Sequence, residues 1–267
     1  MSDIKKPCIV AIANPKGGVG KSTISANMAA IASNLGLKVL LIDLDPQGSA
    51  SYLSNVGGGV ELFADKLFST NPSLPSNLVC HSSFGYDVIP AGPYLVESEA
   101  YLGSDSLAIH GLSMLMASDK ALADYDLIFI DTVGARWRLL TATLLAVDEV
   151  LIPLKASQLS TKELADSLSM IKQLSNPGYR HGRDAIGVRG IFFSEVDKQT
   201  SATKIIIDDV NVSYGADYRV AQSVIPRSTV VEQAAILTTP VVVYEPKAKV
   251  SQAMCELFSE LFSEILV

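Results

Sequence analysis

Histidine, cysteine and tryptophan are scarce in this chain, whose 267 residues carry three, three and one of them. Cys8, Cys80 and Cys255 are far apart, odd in number and without metal-ligand spacing. They read as buried structural thiols in a reducing compartment rather than a disulfide framework. His81, His110 and His181 have no partners at ligand spacing and read as surface or packing residues. No apolar run approaches the roughly 20 residues needed to span a bilayer. Near the N-terminus Lys5 and Lys6 precede an apolar run of six residues, too short for a signal segment, so the expected location is cytoplasmic. Only 18% of residues are charged and the net charge is −7, which argues against a uniformly basic nucleic-acid binder but leaves room for a local basic patch. No Pro/Gly/Ser-rich linker divides the chain, and 48% hydrophobic residues suffice for a large core. One α/β domain over residues 1–267 is therefore expected, and disorder is not.

Glycine is concentrated where chemistry needs it. Asn14-Pro15-Lys16-Gly17-Gly18-Val19-Gly20-Lys21-Ser22-Thr23 follows an apolar β-type run at 8–13. It precedes Ile24, Met28, Ile31 and Leu35 at helical spacing, closed by Gly36. A strand, a glycine loop and a helix N-terminus in that order make a phosphate cradle. Glycines let the backbone turn its N–H groups toward a polyphosphate, and the helix end adds partial positive charge. Lys21 supplies a full charge for the β- and γ-phosphates, and the Ser22 hydroxyl can ligate Mg²⁺. Pro15 stands where the general pattern has its first glycine.

The spacing of Lys16, Gly17, Gly18, Gly20, Lys21 and Ser22 resembles the deviant Walker A motif of the ParA/MinD/Soj partition ATPases. That resemblance implies a doubly wound, mostly parallel α/β sheet flanked by helices, the P-loop NTPase fold. It implies ATP and Mg²⁺ as ligands and a homodimer when ATP is bound, with Lys16 acting in trans and Lys21 in cis. The nucleotide-binding set would be Lys16, Gly17, Gly18, Val19, Gly20, Lys21, Ser22 and Thr23, joined by Pro226 and Arg227 in an I-P-R segment that relatives place beside the adenine.

The continuous apolar run at 38–43 reads as a parallel strand buried on both faces, and it ends in carboxylates. Asp43 lies at its carboxyl edge and Asp45 just beyond, where ligands gather in open α/β sheets. The D-x-D-P-Q-G segment at 43–48 resembles the family's, in which the second aspartate, here Asp45, orients the attacking water and the first lies near the metal. Taken alone, Asp45-Pro46 is also an ordinary turn starter. The apolar run at 126–131 ends in Asp131 in the Walker B pattern, which implies a metal set of Ser22, Asp43 and Asp131. An aspartate capping the next element is the plainer reading of Asp131. Relatives follow this strand with Thr-Pro-Pro or Cys-Pro-Pro, whereas this chain has Thr132-Val133-Gly134-Ala135. Arg136-Trp137-Arg138 then reads either as a partner- or DNA-contacting anchor or as solvated arginines flanking a core tryptophan.

Further strands are expected at 86–91, 147–154, 186–194 and 219–226. Helices are expected at 49–54, 107–123, 161–174 and at the C-terminus, where Met254, Leu257, Phe258, Leu261, Phe262 and Ile265 share one face opposite Glu256, Glu260 and Glu264. An acidic polar face disfavours anionic lipid, so that helix is expected to pack on the domain and no membrane partner is expected. The I-P-A segment at 89–91 and residues 241–247 also resemble family segments.

Relatives bind DNA non-specifically as ATP-bound dimers. Two arginines they often carry are replaced here by Gln199 and Val230. Candidate phosphate contacts are Lys198, Lys204, Arg219, Arg227, Lys247 and Lys249, with Arg180, Arg183 and Arg189 nearby in sequence. The implied function is a nucleoid-associated partition ATPase for plasmid or chromosomal DNA, stimulated by a ParB-like centromere-binding protein. The alternative is a positioning ATPase working with a cargo adaptor, which the two replacements favour.

Overall fold

A computed structural model describes residues 6–56, 63–68, 74, 77–104, 107–134, 138–180, 183–197 and 201–265. Its strands are β1 (Cys8–Ile12), β2 (Val39–Asp43), β3 (Cys80–His81), β4 (Asp87–Ile89), β5 (Leu127–Asp131), β6 (Glu149–Lys155) and β7 (Gly187–Ser194). They form one sheet in the order β3-β4-β2-β5-β1-β6-β7. All neighbours are parallel except the β3–β4 pair.

The α-helices are α1 (Lys21–Asn34), α2 (Ser49–Leu53), α3 (Leu95–Ser104), α4 (Gly111–Ser118), α5 (Arg138–Ala146), α6 (Ser160–Leu174), α7 (Pro177–Arg180), α8 (Ser201–Tyr214), α9 (Thr229–Ile236), α10 (Val241–Tyr244) and α11 (Lys249–Phe262). Alternate residues of one strand feed different cores. Val10, Ile12, Leu41 and Phe129 pack with Ile24 and Met28 of α1 and Leu257 and Phe258 of α11. Ala11, Leu40, Ile42 and Ile130 pack with Leu112, Leu140 and Leu164 on the other face. Two covered faces explain why these strands are apolar throughout, and they define a doubly wound sheet. β1 is central, with β5 on one side and β6 on the other, so the crevice at its carboxyl end is the place where such sheets take ligands.

Two expected elements are broken. Residues 107–123 form short 3₁₀ turns on either side of α4, because Asp119 is extended and its carboxylate accepts from Ala121 N at 2.9 Å and Leu74 N at 2.9 Å. Residues 219–226 make only two bridges to the β7 edge, Ile191↔Val220 and Val196↔Pro226. Between those bridges the Glu260 carboxylate takes the N–H groups of Gln222 and Ser223, so no regular ladder forms. The acidic side of α11 is thus partly structural. Glu264 likewise meets Arg189, while the apolar face is buried as expected. The cysteines are free thiols as expected, but they are not buried: Cys8 and Cys80 are half-buried and Cys255 is exposed.

Arg180 is 1% exposed, and its guanidinium donates to the carbonyls of Leu144, Leu145, Val147 and Asp184 at 2.8–3.2 Å. It closes the carboxyl end of α5, where a cation is favoured and unpaired carbonyls are costly. Arg180→Met is expected to lower stability by about 3 kcal/mol, measured by urea unfolding, because several buried carbonyls lose a charged donor.

Candidate nucleotide site

The loop between β1 and α1 is fixed from several directions. Gly18 and Gly20 have φ of 70° and 83°, a left-handed conformation that glycine adopts without the steric cost other residues bear. Asn14 is buried; its Nδ2 donates to the Pro153 carbonyl at 2.8 Å and its Oδ1 accepts from Lys16 N at 2.8 Å. Ser194 Oγ, at the end of β7, donates to the Val19 carbonyl at 2.7 Å. Gly134 closes the loop from above: a β-carbon there would lie 3.0 Å from Gly17 Cα and 3.1 Å from Lys21 Nζ. The segment that lacks the relatives' prolines therefore packs directly on the cradle.

The two lysines are set apart. Lys21 is buried and its ammonium donates to the Lys16 carbonyl at 3.0 Å. Burial lowers its pKa, and the charges of Asp131 and Asp45 oppose that shift. Lys16 instead points outward and pairs with Glu163 of α6 at 2.7 Å.

Register brings the carboxylates together, since Asp131 is level with Ile12 of β1 on one side and Asp43 of β2 on the other. Asp131 is fully buried. Its Oδ1 accepts from Ser25 Oγ at 2.9 Å, and its Oδ2 has no hydrogen-bond partner among the described residues. Burial and the neighbouring Asp43 charge hold it well above the usual carboxylate range, against the pull of the Ser22 and Ser25 hydroxyls. An orphaned carboxylate oxygen beside a serine hydroxyl is the donor set a hard divalent cation needs. Asp43 is placed differently from a direct ligand. Its Oδ1 accepts from Asp45 N, and its Oδ2 from both Ser51 N and Ser51 Oγ, so it organises the Asp45 loop. Burial raises its pKa too.

Asp45 both makes a local turn and faces the site. Its Oδ1 accepts from Gln47 N at 2.9 Å, which realises the turn-starter reading, and its charge is felt at Lys21. Ser51 Oγ accepts from Ala91 N, which ties the I-P-A segment to the same loop.

On the other side of α1 a cavity of about 170 Å³ is lined by Gly20, Thr23, Ile24, Pro226, Arg227 and Val231, among others. It joins the expected base-binding residues to the P-loop.

The candidate DNA contacts are scattered. Arg227 is exposed at the cavity, and Lys249 shares a shallow pocket with Pro226. Arg219 lies toward the far end of α11, donating to the Glu260 carbonyl. Lys204 and Lys247 are exposed, on α8 and just before α11. Arg183 and Arg189 pair with Asp148 and Glu149. Lys198, Gln199, Arg136 and Trp137 lie outside the described residues. No described helix is long and apolar enough to cross a membrane.

Glycine loop, two lysines and level carboxylates on the neighbouring strands β5 and β2 define a P-loop ATPase of the deviant Walker A type. A family model described as an AAA domain matches residues 8–180. The chain is 29% identical over 257 residues to the chromosome partitioning protein ParA of Caulobacter vibrioides, covering 96% of this chain and 94% of that one. It is 28% identical over 254 residues to the sporulation initiation inhibitor protein Soj of Bacillus subtilis, covering 95% and 97%. Among solved structures, a McdA–ATP complex from Cyanothece superposes with a TM-score of 0.80 at 21% identity, covering 97% of each chain. A cobyrinic acid a,c-diamide synthase from Mycobacterium smegmatis with bound ATP analogue and magnesium does so with 0.79 at 23%, covering 97% and 95%. The chain belongs to this AAA-domain family, in its ParA/Soj branch of ATPases.

Proposed function

We propose that this protein is an Mg²⁺-dependent partition ATPase whose ATP-bound homodimer holds DNA non-specifically and is released when a ParB-like partner stimulates hydrolysis. The observation that carries the reading is the P-loop itself, with Lys21 buried inside the loop and Lys16 paired outside it with Glu163; in the proposed dimer Lys21 acts in cis and Lys16 leaves Glu163 for the second subunit. Full-length similarity to chromosome partitioning proteins supports it. Lys16 through Thr23 bind the phosphates, and Pro226 and Arg227 border the base. Ser22 and Asp131 would hold the cation, with Asp43 bracing the loop beside them. A bound Mg²⁺ would offset charge on the β- and γ-phosphates. Asp45 orients the attacking water. As a carboxylate it is a weak base, which suits slow hydrolysis that a partner accelerates.

A second reading, positioning of a protein cargo, is favoured by the scatter of the basic residues and the ion pairs that occupy Arg183 and Arg189. DNA retention by the purified protein separates the two. With ATP, but not ADP, retention is expected and should fall steeply with salt, by a log–log slope of about 0.9 per phosphate contacted. Lys247→Ala with Lys249→Ala should flatten that slope. An ATP-bound dimer that retains no DNA even at low salt would reject the DNA reading in favour of cargo.

A further inference from the structure

A third lysine stands at the P-loop, at the carboxyl end of β6. A β-carbon built on Gly18 would lie 4.0 Å from Lys155 Nζ, so this ammonium rests against the glycine stretch. The backbone there is held: Ser160 Oγ donates to the Lys155 carbonyl, and Ser157 N donates to Ser160 Oγ at 3.0 Å. The turn from β6 into α6 thus fixes where the lysine begins.

Among the described residues its charge is balanced by one group. Glu195, just past β7, meets Lys155 Nζ at 2.8 Å, and the two side chains are 34% and 43% exposed for Lys155 and Glu195 respectively. Glu195 has φ of 52°, a left-handed conformation uncommon outside glycine, and it also lines the cavity beside Pro226. The preceding residue, Ser194, grips the Val19 carbonyl. Strand end, ion pair and P-loop are therefore one connected unit. A half-exposed ion pair adds little to stability, so Glu195 can yield its partner to a stronger anion at small cost. A triphosphate is such an anion, and a lysine meets it as a mobile point charge.

We propose that Lys155 is a phosphate-directed cation of this site, exchanging Glu195 for the terminal phosphate of a bound nucleoside triphosphate. This rests on the nucleotide reading of the P-loop. Gly18 lies three residues before Lys21, on the outer part of the loop, so Lys155 adds charge away from the helix end that Lys21 serves. Glu195 is then a competitor that holds the lysine until a triphosphate arrives.

Titration calorimetry with ATP and with ADP tests this on the wild type, Lys155→Gln and Glu195→Gln, each first shown to melt cooperatively. Lys155→Gln is expected to weaken ATP binding about tenfold and ADP binding less than about twofold. Glu195→Gln is expected to bind ATP at least as tightly as the wild type, because its lysine is unopposed. Unchanged ATP binding by Lys155→Gln would overturn the proposal. So would an equal loss in Glu195→Gln, which would make the pair architectural. A wild type that binds ADP and ATP alike, with Lys155→Gln indistinguishable, overturns this proposal alone. A wild type that binds neither overturns the nucleotide reading with it.

Discussion

Lys16→Ala is expected to keep ATP affinity within about threefold of the wild type while abolishing ATP-dependent dimerisation, whereas Lys21→Ala is expected to lose ATP binding by about a hundredfold. The difference follows from where each ammonium sits. Lys21 is buried at the N-terminus of α1, inside the loop, and donates to the Lys16 carbonyl in a place a phosphate oxygen would take. Removing it leaves the cradle its backbone N–H groups but takes away the buried charge at the helix end. Lys16 points away from the loop interior, toward Glu163 on α6. Its loss subtracts little from binding within one subunit. If it reaches a second nucleotide, its loss removes a charge-assisted bond from each half of the dimer. Nucleotide titration and light scattering on both variants check the result. Equal loss of ATP affinity in the two would place both lysines in cis, and a Lys16→Ala chain that still dimerised with ATP would remove the trans role. Glu163→Gln sharpens the test, since it frees Lys16 in the monomer and should leave ATP-driven dimerisation intact.

Much of this site could be read from the chain, because its parts are local. Lys16 to Thr23 are consecutive, and the glycines among them announce their backbone conformation. The carboxylates end apolar runs, and an apolar run ending in aspartate at a parallel strand's carboxyl edge faces the ligand crevice wherever the strand lies in the sheet. What could not be read depends on register or on distant partners. Nothing near Asp43 shows that Ser51 would occupy one of its oxygens, and nothing near Lys155 shows that β6 would end against Gly18. Glu163 and Ser194 meet the loop only because β6 and β7 lie on that side of β1. The same limit explains why the strand expected at 219–226 does not form a regular ladder, interrupted as it is by a carboxylate from α11. Helix α8 is not legible in the sequence because its Ile205, Ile206, Ile207, Val210 and Val212 are β-branched, and only Thr203 and Val210 are buried. Neither its propensity nor its periodicity marks a helix.

Without divalent cation, the protein is expected to lose stability as pH rises from the ordinary carboxylate range near pH 4 through neutrality. Asp131 → Asn is expected to flatten that dependence and to raise Tm at about pH 8 by about 5 °C. Asp131 and Asp43 are fully buried on adjacent strands, and burial raises both pKa values above the unfolded ones, reinforced at Asp131 by the neighbouring Asp43 charge. A carboxylate with a raised native pKa keeps its proton in the folded chain after the unfolded chain has released it. The native state then binds more protons than the unfolded state, so stability falls with rising pH across that window. Asparagine keeps the shape, carries no charge at any pH, and removes the Asp131 share of the slope. Mg²⁺ with ATP should recover the loss at high pH in the wild type, because a ligand bound only by the folded chain stabilises it. Asp131→Asn should gain much less from Mg²⁺, since the oxygen left unpaired beside Ser25 has become part of a neutral amide. Thermal melts of both chains from about pH 5 to about pH 8, with EDTA and with Mg²⁺–ATP, measure the four slopes. Parallel slopes for wild type and variant in EDTA would show that Asp131 ionises without strain, and equal gains from Mg²⁺–ATP would take the cation away from this carboxylate.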